Sequence, residues 1–165
     1  MKINVIIILL FLSNYCLGQT IPNNIEKKCL IDYYFTNDNE VNKSLTYIFS
    51  QTLKGDYSSA KTEIGLLKSK NSKTNLVYAA CLCYEANICY NESKYDLSIL
   101  LVDSVIHSLK LLDKNNRYLV KANNIKAKCL SALNHFDLAD KILTDNLNFA
   151  TAINDSNGIA GVYYL

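Results

Sequence analysis

Apolar side chains recur along this chain at steps of three and four rather than in alternation, the spacing that lines one face of a helix. Glu40 to Leu53 carries Val41, Leu45, Ile48, Phe49 and Leu53, and Tyr57 to Lys70 carries Ala60, Ile64 and Leu67. Tyr95 to Leu112 repeats the spacing with Ile99, Val102, Val105, Ile106 and Leu109. It pairs with Thr74 to Tyr90, and Arg117 to Leu133 pairs with Phe136 to Ile153. The pattern predicts an all-α fold of three antiparallel helical hairpins, 40–70, 74–112 and 117–153. A partial fourth, 156–165, has no second helix. One proline, Pro22, and five glycines leave few helix breakers, so long helices can persist.

Three turn phrases separate the helices of each hairpin: Gly55-Asp56-Tyr57-Ser58-Ser59-Ala60, Ser93-Lys94-Tyr95-Asp96-Leu97-Ser98 and Asn134-His135-Phe136-Asp137-Leu138-Ala139. Each is a turn former, a spacer, an aromatic, two spacers and a small residue. The aromatics stand 38 and then 41 residues apart, a period that signals stacked helical hairpins. Four residues beyond each small residue come Ile64, Val102 and Leu143. Seven to nine residues before each aromatic come Ile48 with Phe49, Ala86 with Ile88, and Ala127 with Cys129. The aromatic is expected to plug the hairpin's corner, the small residue to let the helices approach, and the aliphatic to seal the next repeat.

On these residues the chain resembles the tetratricopeptide repeat family over about Glu40 to Leu165. The family's first-helix small position falls on Ala86 and Ala127, its second-helix aromatic on Tyr57, Tyr95 and Phe136, and its closely packed small residue on Ala60, Ser98 and Ala139. The family's first-helix Trp and closing Pro are missing, and the spacing exceeds the usual repeat. The resemblance implies hairpins stacked as a right-handed α-solenoid that binds protein or peptide and does not catalyse. The stretch Asn154 to Leu165, with Gly158-Ile159-Ala160 leading into Tyr163 and Tyr164, resembles a longer repeat variety found in sensor regions of bacterial signalling proteins. A helix stopping at Val162, Tyr163, Tyr164 and Leu165 lacks a polar cap, so a fragment is expected, or an end that meets a partner or a second copy.

Composition adds a compartment. Lys2, the apolar run Val5 to Leu12 and the small residues Cys16 and Gly18 before Gln19 read as an export signal over 1–18. The run is shorter than the roughly 20 apolar residues a membrane span needs, so no membrane insertion is expected after cleavage. Segment 19–39 is less regular, with a short capping helix possible through Ile25, Cys29, Leu30, Tyr33 and Tyr34. Net charge is +2 with lysines scattered among acids, which gives no basic stripe for nucleic acid.

Candidate chemistry is sparse. Six cysteines become five once Cys16 leaves with the signal, an odd number that describes no closed disulfide framework. Cys81, Cys83 and Cys89 share a helix, yet no C-x-x-C pair exists and neither His107 nor His135 stands at a ligand spacing. They read as small core residues; a redox or metal site, or a disulfide to Cys129 or Cys29, are the alternatives. No nucleophile–base set, phosphate loop or paired acid is recognisable, so neither catalytic residues nor a cofactor or metal is expected. The sequons at Asn42, Asn91 and Asn154 matter only in a glycosylating host.

Binding has a clearer basis. In hairpin arrays the first helices line the concave side, and steps of three and four select three stripes there. They are Asn42, Leu45, Phe49 and Thr52; Ala80, Cys83, Asn87 and Tyr90; and Lys121, Asn124, Lys128 and Ser131. The third stripe suits a peptide carboxylate or acidic side chain, and Leu45, Phe49 and Tyr90 suit apolar residues; a solvated helix face is the competing reading. The expected function is an exported, noncatalytic protein or peptide interaction module, either the sensing part of a longer signal-transduction protein or a freestanding periplasmic scaffold. A small cysteine-dependent redox or metal protein is the third reading.

Overall fold

A computed structural model describes residues 38–73, 75–111 and 117–163. The predicted export signal and capping helix, the helix ends placed at Thr74 and Leu112, and Tyr164 and Leu165 lie outside those residues. Seven helices and no strand occur among the described residues: α1 (Asn39–Lys54), α2 (Tyr57–Lys70), α3 (Leu76–Asn91), α4 (Tyr95–Leu111), α5 (Arg117–Ala132), α6 (Phe136–Ala152) and α7 (Ser156–Tyr163). The fold is therefore all-α, as the periodicity predicts, with observed helix ends within two residues of those read from the sequence.

Local chemistry starts three of these helices and stops four. Asp38 accepts from the amides of Glu40 and Val41, Asp56 from Ser59, and Asn75 from Val77, so α1, α2 and α3 begin with side-chain caps. Helices α1, α3 and α5 end on the turn phrases, where Gly55, Ser93 and Asn134 take left-handed φ values of 77°, 61° and 63°. In each, the following amide bonds back five residues: Asp56 N to Gln51 O, Lys94 N to Cys89 O and His135 N to Leu130 O, at 2.8–2.9 Å. This left-handed stop satisfies carbonyls that the helix leaves over. Asn154, with φ 55°, builds the same stop between α6 and α7 through Asp155 N to Ala150 O at 2.8 Å.

Consecutive helices pack as hairpins, α1 on α2, α3 on α4 and α5 on α6, and each second helix packs on the next hairpin's first. The first helices also touch one another in series, α1 to α3 to α5 to α7, forming an inner layer. Helix α3 sits at its centre, with ten of sixteen residues buried. The small residue of every phrase is buried as expected: Ala60, Ser98 and Ala139 are at most 2% exposed. Ser98 Oγ donates to the Ala86 carbonyl at 2.7 Å, so its polar atom is satisfied inside the α3–α4 contact.

The aromatics do not share one environment. Tyr57 and Tyr95 pack on the main core, Tyr95 with its ring 5.8 Å from that of Tyr90. Phe136, expected to plug the third corner, is 61% exposed. Tyr90 lies five residues before Tyr95, and the residue five before Phe136 is Ser131, which offers no ring to pack against.

Candidate functional site

The twelve residues of the three stripes divide by burial. Leu45 and Thr52 of α1 and Ala80 and Cys83 of α3 lie inside the core and present no surface to a ligand. Thr52 spends its hydroxyl on the Ile48 carbonyl at 2.8 Å. Asn42, Phe49, Asn87, Tyr90, Lys121, Asn124, Lys128 and Ser131 are half-buried. Asn124 is turned toward the end of the array: its Oδ1 accepts from Asn146 Nδ2 of α6 at 2.7 Å.

Lysines and tyrosines meet between α3 and α5. Lys121 Nζ stands 4.4 Å from the Tyr84 ring centroid, and Lys128 Nζ stands 5.9 Å from that of Tyr90. As first helices of successive hairpins, α3 and α5 run the same way. Six residues along one and seven along the other rise about 9 and 10.5 Å, so the two pairs stay in register. Each ammonium faces the electron-rich side of a ring, an attraction of about 0.5–2 kcal/mol that grows with desolvation. Lys128 takes part in none of the ion pairs among the described residues.

The surroundings are dry enough to shift protonation. Burial pushes Lys121 down to about 7, and the Lys128 charge acts in the same direction. Burial also lowers Lys128, while it raises the Tyr84 and Tyr118 hydroxyls beside them. Chemically, the seam is a pair of partly desolvated amines fixed on aromatic faces, suited to hold an anionic group flanked by apolar atoms.

Tyr84 was not among the sequence-derived stripe residues. Its helix is apolar around the whole circumference, so no periodicity singles out one face. The usable signal lay in α5, where Lys121 and Lys128 stand two turns apart on one face, the spacing at which both can seat on rings of one facing helix.

Cys81, Cys83, Cys89 and Cys129 are all free thiols and all buried. Burial pushes Cys81 and Cys83 up to about 12, far from the thiolate that nucleophilic or metal chemistry needs. No group of three potential metal ligands occurs among the described residues, and no described helix is long and apolar enough to cross a membrane. Compared with known family models, curated proteins and solved structures, the chain matches none.

Proposed function

We propose that this chain is an exported, noncatalytic interaction module of the tetratricopeptide type, which holds polypeptide segments along the α3–α5 seam. The observation that carries the reading is the paired seating of Lys121 on Tyr84 and Lys128 on Tyr90. Lys128 and Lys121 stand in register about 10 Å apart, and an incoming anion favours the charged form of Lys121, so the pair recognises acidic side chains or a terminal carboxylate of an extended peptide. Tyr90 and Phe49 add half-buried aromatic surface for its apolar residues. Stacked hairpins favour this use, because an inner layer of parallel first helices presents one continuous surface to a ligand.

Titrating the mature chain with acidic and neutral peptides by calorimetry tests the reading. Acidic peptides should bind, and the Lys121→Ala/Lys128→Ala double variant should weaken them at least about tenfold, or 1.4 kcal/mol. Equal affinity in the double variant, with its helicity intact by circular dichroism, rejects the seam as the binding site.

A further inference from the structure

Charge separates α5 from the two second helices, α4 and α6, that pack against it. Helices α4 and α6 together carry five aspartates against two lysines, whereas α5 between them carries four basic residues and no acid. Asp96, Asp103, Asp137, Asp140 and Asp145 are all exposed; Asp103 is held by Lys126 of α5 at 2.6 Å, and the other four take part in none of the ion pairs among the described residues. Large apolar side chains stand among them: Leu97 and Leu100 are 47% and 65% exposed, Phe136 and Leu138 61% and 55%. The two helices share an apolar floor, because Ile99 of α4 packs on the same cluster as Ile142 and Leu143 of α6. A surface concavity opens at the start of α6, lined by Asn134, His135, Phe136, Asp137 and Leu138.

We propose that the outer face of α4 and α6 is a second docking surface, separate from the α3–α5 seam, for a basic amphipathic helix of a partner protein. Exposed leucines interleaved with carboxylates ask for a partner that offers apolar side chains and cations at alternating positions, which a lysine- and leucine-bearing helix does. Cations alone would gain only screened surface pairs, so the leucines must supply the binding energy and the aspartates the choice of partner. Nucleic acid and anionic lipid are repelled by the same carboxylates. A second copy fits poorly, since a two-fold contact through this face would set aspartates against aspartates.

The test uses a fluorescent synthetic amphipathic helix of leucine and lysine, with a scrambled peptide and a leucine–glutamate helix as controls, followed by anisotropy against the mature chain. The Leu–Lys helix alone should bind. Leu100→Asp/Leu138→Asp should weaken it about tenfold or more even though it adds two carboxylates, and Asp137→Asn/Asp140→Asn should flatten its salt dependence. Lys121→Ala/Lys128→Ala should leave it unchanged, which separates this surface from the seam. Equal binding of the scrambled peptide, indifference to the leucine variant, or a dimer in light scattering that the leucine variant dissolves would each overturn the proposal.

Discussion

Asn146 of α6 donates from Nδ2 to the main-chain carbonyl of Val120 in α5 at 2.8 Å, although Asn146 is only 1% exposed. The same amide reaches Asn124 Oδ1 at 2.7 Å, and Asn146 Oδ1 accepts from Asn123 at 3.2 Å. A buried amide satisfied on both ends fixes the register of two helices more narrowly than apolar packing can. Asn146→Ala should cost about 1–3 kcal/mol, because it leaves polar groups of α5 buried without their partner. Chemical denaturation measures the loss. A cycle with Asn124→Ala should return a coupling above about 0.5 kcal/mol, and strict additivity would mean that the amides act independently.

Val120 is approached from α7 as well, and there the contact depends on a missing side chain. A Cβ on Gly158 would stand 2.6 Å from Val120 Cγ1 and 2.5 Å from Asp155 Oδ2. Gly158→Ala should therefore push α7 off α5 at a cost of about 1–3 kcal/mol. Hydrogen exchange should quicken in α7 while α1 to α4 keep their protection, as neighbour-only coupling requires. Gly65 is the control. Nothing lies within 4 Å of its would-be Cβ, so Gly65→Ala in α2 should add about 0.5–1 kcal/mol.

The left-handed stops give a prediction of opposite sign at equivalent positions. Ser93, with φ 61°, holds a conformation that costs a side-chain-bearing residue about 1–2 kcal/mol, part of which glycine returns as unfolded-state entropy. Ser93→Gly should raise stability by up to about 1 kcal/mol, whereas Gly55→Ala, at φ 77°, should lower it by a similar amount. Thermal unfolding of the two variants decides, and a loss of stability in Ser93→Gly would show that its side chain contributes more than the strain removes.

Stability should pass through a maximum on the alkaline side of neutrality. Lys121 releases its proton near 7 when folded and near 10.5 when unfolded, so between those values the unfolded chain binds more protons and stability rises with pH. Cys81 and Cys83 act oppositely. Folded, they keep their protons to about 12 while the unfolded thiols ionise near 9.0, so stability falls above pH 9. Lys121→Met should flatten most of the rise, and Cys81→Ala/Cys83→Ala part of the fall. Urea titrations at stepped pH check both arms, and a flat profile in the wild type contradicts the burial of these groups.

Much of this fold was legible because its signals are local. Steps of three and four placed the helices, and Gly55, Ser93 and Asn134 marked the turns within hairpins. Asn154 carries the same stop, but it joins α6 to α7, a place the turn phrases did not flag because no aromatic follows two residues later. The candidate site was legible only in part. Lys121, Lys128 and Tyr90 share the seam, while Ala80 and Cys83, on the same predicted stripe as Tyr90, went inside. That division depends on which neighbours surround α3, and a helix apolar on every side does not disclose them.

Enclosure of α3 turns its sulfurs into a clock. Cys81 and Cys83 can meet an alkylating reagent only when adjoining helices part, so their modification times the separation of the array's middle, while Cys89, near the last turn of α3 and 4% exposed, times events at that edge. The ratio of the two modification speeds therefore tells parting of the middle helices from opening at the α3–α4 corner alone, with no label added to the molecule.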